Sequence, residues 1–216
     1  MSERVMVVPA ELVAGAARGR TFWSDGAAAD EALAVAFNAA ARFAPRAEVE
    51  TDETVRQVIP YLLLRSADGA YFAYRRLPTG GEARLFDRYS LGVGGHINDE
   101  RVHTGLHYDH RVLAPNLIAE GLQRELAEEL ELPDAPELGR LAIHGFLALD
   151  ESPVDRVHVG LVVRVDVPTE LRAACRIRET DRLEAAGWFA PAELERMLAD
   201  VTFEGWSRTL IEAGLP

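Results

Sequence analysis

Runs of apolar residues along the chain predict an alternation of β-strands and helices. Residues 58–65 and 71–76 are β-rich, and the turn-forming residues 67–70 separate them, which predicts a β-hairpin. A further apolar run over residues 89–98 contains the pair Gly94-Gly95 and leads into a polar stretch. Glycine at the end of a strand lets the backbone approach another group closely, so this turn is a candidate binding site.

The second half of the chain continues the alternation. Residues 141–149 and 157–167 are β-rich runs. Gly187-Trp188-Phe189 predicts a strand, and residues 191–194 predict a helix because proline suits the first helical turn. Residues 168–184 are charged and irregular, and they predict a loop with one helical turn.

Residues 1–50 predict an N-terminal extension that packs on the main domain, residues 51–216. The extension contains the short apolar run 5–8 and an Ala-rich helix over residues 27–43 that ends before Pro45. It has no repeat and no low-complexity segment, so it does not predict a separate domain.

Three glutamates lie close together in the segment RELAEE, residues 124–129. On an α-helix, positions i, i+3 and i+4 are neighbours, so Glu125, Glu128 and Glu129 would project from one side and repel one another. A divalent cation would relieve this repulsion, and Mg²⁺ prefers oxygen ligands while sharing its other positions with substrate phosphates. The alternative interpretation is a solvated acidic helix face, which is the commoner meaning of a charge run.

The glycine turn followed by this acidic helix resembles the box of the Nudix hydrolase family. The family pattern is G-x5-E-x7-R-E-U-x-E-E-x-G-U, in which U is apolar. The matching residues are Gly95, Arg124, Glu125, Leu126, Glu128, Glu129 and Leu132.

The box departs from the family pattern in three places. Gly95 and Arg124 are farther apart than the pattern allows, so residues 98–115 are interpreted as an insertion in the loop before the helix. Asn116 stands where the family has its first glutamate, and Glu131 replaces the second glycine. Glu120 could brace Arg124 through an i, i+4 pair. The metal-binding positions are intact, which favours an active enzyme.

The resemblance to the Nudix family extends over residues 50–213. Within that family the chain resembles a bacterial subfamily of predicted phosphoesterases. The shared segments are Ile59-Pro60-Tyr61, Gly80-Gly81-Glu82, residues 92–98, His158-Val159-Gly160 and residues 203–207. It implies an α/β Nudix fold, with a mixed β-sheet sandwiched between α-helices and an N-terminal extension.

The resemblance also implies an activity and a set of functional residues. The activity is Mg²⁺- or Mn²⁺-dependent hydrolysis of a phosphoanhydride bond, in a nucleoside diphosphate linked to another moiety or in a related nucleotide. Glu125, Glu128 and Glu129 would hold the metal together with the carbonyl of Gly94, and Arg124 belongs to the same catalytic set. The general base stays open among Glu129, Asp150, Glu151 and Glu179.

Substrate contacts are predicted at the glycine turn and on the segment that leads to it. Arg75 and Arg84, with Arg76 and Arg88 nearby in sequence, could bind a polyphosphate. Gly95 and His96 follow Gly94 directly, and His96 is expected to face the metal. Each arginine has an alternative interpretation as an ordinary surface side chain.

The inserted loop contains a group of histidines whose role is open. His103, His107 and His110 lie there with Asp109, and imidazole and carboxylate together could bind zinc. Contacts with substrate or water are the favoured interpretation. As a long loop near the predicted site, it is expected to act as a lid or specificity element.

Composition narrows the class of protein. The 216 residues carry a net charge of −12, which argues against a duplex nucleic acid as partner because such binding depends on Lys and Arg. No apolar run is long enough to span a bilayer, the N-terminus lacks the pattern of a signal peptide, and Cys175 is the single cysteine. These features indicate the cytoplasm and a small-molecule substrate, and the family resemblance allows a homodimer.

Two other functions fit the sequence less well. A Nudix scaffold that binds a nucleotide as a sensor without cleaving it would be consistent with Asn116 and the altered spacing. An isopentenyl-diphosphate-isomerase-like enzyme would need a reactive cysteine, and no motif accompanies Cys175.

Overall fold

The chain is an α/β protein with a large mixed sheet, and the computed structural model describes residues 3–78, 86–99, 130–131, 143–178 and 180–216. The strands in these ranges are β1 (Arg4–Pro9), β2 (Phe22–Trp23), β3 (Arg42–Pro45), β4 (Val55–Ser66), β5 (Tyr71–Arg76), β6 (Tyr89–Ser90), β7 (Gly92–Gly94), β8 (Leu130–Glu131), β9 (Ile143–Leu147), β10 (His158–Val167), β11 (Arg176–Ile177) and β12 (Leu183–Phe189). The α-helices are α1 (Ala10–Ala17), α2 (Ala27–Ala40), α3 (Arg46–Val49), α4 (Pro191–Met197) and α5 (Gly205–Glu212). Two 3-10 helices cover Asp155–Val157 and Thr169–Ala174.

The described chain divides into two compact units, and the first comprises residues 3–61, 94–99 and 143–163. In this unit β1 pairs antiparallel with β3 and with the beginning of β4. β9 pairs antiparallel with β10 and with β2. A buried cluster packs β1, β3, α3 and the start of β4 together and consists of Val5, Val7, Ala44, Val49 and Val55.

Aromatic packing joins α2 to β2 and β9 within this first unit. Phe146 stacks on Trp23 at 5.6 Å between ring centroids, and its ring edge meets Phe37 of α2 at 5.4 Å. Gly145 makes this packing possible because a Cβ there would lie 2.6 Å from the carbonyl oxygen of Trp23. The φ angle of Gly145, +135°, also lies in a region that residues with a Cβ rarely adopt.

The second unit comprises residues 62–78, 86–93, 130–131, 164–178 and 180–216. Here β5 pairs antiparallel with the end of β4, with β6 and with β12, and β8 pairs antiparallel with β11. Glu204 caps α5 by accepting hydrogen bonds from the backbone N–H groups of Trp206 and Ser207. The hydroxyl of Ser207 in turn accepts a hydrogen bond from the N–H of Leu91 at 2.8 Å.

The hairpin and the later strands agree with the sequence prediction. The predicted strand at residues 71–76 is confirmed, and the strand before it extends over Val55–Ser66. The helix predicted at residues 191–194 is confirmed as the beginning of α4. None of the described helices has the length and hydropathy that a bilayer-spanning helix needs.

Three sequence predictions are wrong in part, and strand pairing explains each. The Ala-rich helix ends at Ala40 rather than Phe43, because Phe43 pairs with Met6 as part of β3. Residues 168–184 contain the predicted helical turn, but they also contain β11 and the start of β12. The sequence also predicts that the acidic helix ends at residues 133–136, because prolines stand at both ends of that segment, whereas Leu130 and Glu131 are extended and pair with Ile177 and Arg176.

Candidate functional site

Several predicted site residues lie outside the described residues. They are Arg84, Arg124, Glu125, Glu128, Glu129 and Glu179, together with the loop histidines His103, His107 and His110. Their roles as metal ligands, catalytic groups and substrate contacts stay predictions. Within the described ranges, no group of three or more His, Cys, Asp or Glu residues could hold a metal ion.

Gly94, the predicted carbonyl ligand, lies against the backbone of β4. A Cβ at this position would be 2.8 Å from the carbonyl oxygen of Pro60 and 3.2 Å from side-chain atoms of Ile59 and Tyr61. Because real Cβ atoms do not approach a carbonyl that closely, the segment can lie here only with glycine.

The residues after Gly95 are held by β1. The N–H of Met6 donates to the carbonyl of Ile97 at 2.9 Å, and Val5 forms an antiparallel bridge with Asn98. Arg4 pairs with Asp99 at 2.7 Å between Nε and Oδ2. His96 therefore lies between two fixed points, one at Gly94 and one at Ile97.

His96 contacts a buried amide, that of Gln57. Its Nε2 lies 2.8 Å from Oε1 of Gln57, which is fully buried on β4. The amide nitrogen of Gln57 donates to the carbonyl oxygen of Val49 at 3.3 Å. The ring of His96 is half-buried and is tied to the core of the first unit.

A second histidine packs beside His96. The ring centroids of His96 and His158 are 5.6 Å apart, with an interplanar angle of 56°. Nδ1 of His158 lies 2.7 Å from the carbonyl oxygen of Val154. Because a carbonyl only accepts, this contact places a hydrogen on Nδ1 of His158.

Arg56 organises the loop that precedes β10. Its Nη1 donates to the carbonyl oxygens of Leu149, Asp155 and His158 at 3.1, 2.6 and 3.4 Å. Its Nη2 pairs with Oδ1 of Asp150 at 2.6 Å. The guanidinium is well buried, with 13% of the Arg56 side chain exposed, so it serves as an internal anchor for this loop.

The contacts of Arg56 bear on two candidates for the general base. One oxygen of Asp150 is engaged by Arg56, although 74% of the Asp150 side chain is exposed. Glu151 follows it on the same loop and is exposed. Asp150 thus has a structural partner, and any catalytic role for it would have to coexist with that ion pair.

The predicted arginine contacts that fall in the second unit have partners there. Arg75 pairs with Glu184 at 2.7 Å, and the two residues are opposite each other on β5 and β12. The guanidinium of Arg76 lies 5.7 Å from the ring centroid of Tyr74. The N–H of Arg76 donates to the carbonyl of Arg88 at 3.0 Å, which fixes the backbone that carries these side chains.

Cys175 has the environment of a structural thiol. It is buried, its Sγ lies 3.5 Å from the carbonyl of Leu171, and burial raises the pKa of the thiol. A reactive cysteine needs a lowered pKa, so this site does not favour isomerase-type chemistry.

Sequence reasoning missed Gln57, Arg56 and His158 as parts of this arrangement. A signal existed at Gln57, an amide that stands directly before the apolar run beginning at Val58. The sequence did not predict His96 as the partner of Gln57, because the two residues are 39 positions apart along the chain.

The chain is similar to several known proteins. It is 30% identical to Protein YmaB of Bacillus subtilis over 175 residues, which are 81% of this chain and 78% of YmaB. Among solved structures it is similar to Tm1382, described as "a putative Nudix hydrolase", with 25% identity and a TM-score of 0.70 over 98% of this chain and 97% of that one. A weaker likeness, with 19% identity and a TM-score of 0.43, covers 72% of this chain and 81% of DR0079 from Deinococcus radiodurans. No protein-family model matches the chain. The likeness to Tm1382 confirms the fold that the sequence predicted.

Proposed function

This chain belongs to the same family as Protein YmaB of Bacillus subtilis and has a Nudix fold, and from that premise we propose that it is a Nudix-type hydrolase. Its proposed reaction is metal-dependent cleavage of a phosphoanhydride bond in a nucleotide, with a nucleoside diphosphate linked to another moiety as the substrate class. The observation that carries the proposal is the likeness to Tm1382 over nearly the whole chain.

The predicted metal ligands have the right chemistry for Mg²⁺ or Mn²⁺. Carboxylates at Glu125, Glu128 and Glu129 and the carbonyl of Gly94 form an all-oxygen donor set, which hard cations prefer. When bound there, the cation would neutralise phosphate charge and lower the pKa of a bound water.

The chain's own residues would bind and orient the substrate. Arg75 and Arg84 would contact phosphate oxygens, because a guanidinium donates paired hydrogen bonds to such groups. The close contact between Gly94 and the backbone of β4 fixes the position of the Gly94-Gly95 segment. Gly95 and His96 would therefore contact the substrate as a preformed surface. The general base is proposed among Glu129, Asp150, Glu151 and Glu179.

A substrate panel tests this proposal directly. The full chain is incubated with nucleoside triphosphates, nucleotide sugars, dinucleoside polyphosphates and other diphosphate compounds, with Mg²⁺, with Mn²⁺ and with EDTA. Products are identified by chromatography, and hydrolysis in ¹⁸O-labelled water shows which phosphorus is attacked. We expect metal-dependent release of a nucleoside monophosphate or of phosphate from one class of compound.

The same panel distinguishes the hydrolase from a nucleotide sensor. Tight binding of a panel compound without turnover under both metals would favour the sensor, for which Asn116 is the sequence argument. Neither binding nor turnover of any phosphoanhydride would reject both functions.

A further inference from the structure

Gln57 stands out as a fully buried amide whose two ends contact different partners. It lies on β4 opposite Val7 of β1 and has no exposed surface. One end meets the carbonyl oxygen of Val49 at 3.3 Å and the other meets Nε2 of His96 at 2.8 Å. A buried polar side chain is costly unless both ends are paired, so its presence in an apolar strand calls for a role.

The donor and acceptor roles in this chain of contacts follow from the Val49 carbonyl. A carbonyl oxygen only accepts, so the end of Gln57 that faces Val49 must be the NH₂ group. The end that faces His96 is then the amide oxygen, which also only accepts. Nε2 of His96 must therefore carry a hydrogen, and in the neutral ring Nδ1 has the lone pair.

His158 has the opposite arrangement. The carbonyl of Val154 requires a hydrogen on Nδ1 of His158, so in its neutral ring Nε2 has the lone pair. Two neighbouring imidazoles are thus fixed in opposite tautomers by acceptors of the protein itself. Such outer contacts commonly decide which nitrogen of a functional histidine is protonated.

We infer that Gln57 is a positioning residue that holds His96 in the Nε2–H tautomer beside the Gly94-Gly95 turn. In the neutral ring Nδ1 is then the nitrogen without a hydrogen, and Gln57 acts only through that ring. The catalytic consequence rests on the proposed function, whereas the tautomer assignment does not.

Replacement of Gln57 tests the assignment. Gln57→Met keeps the length and apolar packing of the side chain but offers the Nε2 hydrogen no strong acceptor. Gln57→Glu keeps an acceptor for that hydrogen while losing the donor to Val49, so it should keep the hydrogen on Nε2 even where it lowers stability. Val13→Ala, on α1 of the same unit, is the control for a buried change that leaves the Gln57 contacts intact.

The first measurement is the tautomer of His96 in protein labelled with ¹⁵N-histidine. Proton–nitrogen multiple-bond spectra distinguish a ring nitrogen with a hydrogen from one with a lone pair, and the signal lost in His96→Asn gives the assignment. We expect a hydrogen on Nε2 of His96 in the wild type, in Val13→Ala and in Gln57→Glu, where the carboxylate also favours the imidazolium, and a smaller Nε2–H fraction in Gln57→Met.

The second measurement is kcat and KM on the substrate found in the panel. We expect Gln57→Met to lose about tenfold in kcat/KM, Val13→Ala to match the wild type, and Gln57→Glu to recover part of the loss. A single Nε2–H tautomer in Gln57→Met, or an Nδ1–H tautomer in the wild type, would overturn the inference. A tautomer that changes as expected in a protein that hydrolyses nothing would support the assignment and reject the proposed hydrolase instead.

Discussion

The guanidinium of Arg75 lies 2.7 Å from the carboxylate of Glu184, its direct neighbour across β5 and β12. Both side chains are partly exposed, at 37% and 56%, and exposed pairs of this kind contribute about 0–1 kcal/mol. The pair therefore holds Arg75 in place without being essential for folding, so a role in substrate binding can be measured apart from stability.

Arg75→Gln should raise KM for the substrate about tenfold while the melting temperature stays near that of the wild type. The reason is that a phosphate loses a charged donor whereas the fold loses only a surface ion pair. Steady-state kinetics and thermal unfolding measure the two effects. Arg65→Gln is the matched control, because Arg65 pairs with Asp166 on the neighbouring strands and has no predicted substrate contact. Equal KM values in all three proteins would remove Arg75 from the site.

Gly94→Ala should destabilise the protein by about 1–3 kcal/mol, because the new methyl group would overlap the carbonyl of Pro60. The same substitution at Gly15 meets no atom within 4 Å. There it should stabilise helix α1 by about 0.5–1 kcal/mol. Urea unfolding midpoints give the sign of each change. Equal effects at both positions would show that the turn tolerates a side chain.

Arg56→Met should cost about 1.5–3 kcal/mol, since three carbonyl oxygens lose a charged donor inside the protein. Asp150→Asn removes only the charge from the exposed partner and should change stability by less than about 1 kcal/mol. Hydrogen exchange should show faster exchange over residues 149–158 in Arg56→Met alone. If Asp150→Asn loosens this loop as much, the ion pair rather than the carbonyl contacts holds it.

Glu129→Gln should reduce turnover by orders of magnitude with little fall in melting temperature, because it removes a predicted metal ligand while preserving size. Relief of repulsion among neighbouring glutamates could even raise the melting temperature of the metal-free protein. Glu131→Gln, an exposed residue of β8, removes the same charge two positions away and should leave turnover unchanged. Turnover that survives Glu129→Gln would contradict the ligand assignment.

The buried thiol of Cys175 should make stability fall at alkaline pH. Burial raises the pKa of this thiol above its ordinary value of 9.0, so the folded protein holds the proton more tightly than the unfolded chain does. The resulting stabilisation is fully present below pH 9.0 and is lost as the pH rises through the raised value. Unfolding midpoints of the wild type and Cys175→Ala at pH 7 and pH 10 isolate the thiol from other titrating groups. The wild type should lose more stability than the variant.

Local sequence was enough to predict the hairpin and its turn. The bounds of β5 agree with its β-rich run, because a run of aromatic and apolar residues and a turn signal act over a few neighbouring positions. It was not enough at Phe43 or at Leu130, where a helical pattern gives way to pairing with β1 and β11. These partner strands are distant in sequence from the residues they pair with, so local propensity cannot predict the pairing.

The candidate site divides in the same way. The amino-acid sequence by itself determined the β4–β5 hairpin, the position of the Gly94-Gly95 pair and the spacing of Glu125, Glu128 and Glu129, since these are patterns of spacing and residue type. Only the tertiary structure decided that Gln57 contacts His96 and that His158 packs beside His96. It also decided that Arg56 donates hydrogen bonds to the carbonyls of the loop before β10. Each of these contacts joins residues on different strands or loops, so the free energy that selects it comes from packing and hydrogen bonds across the fold.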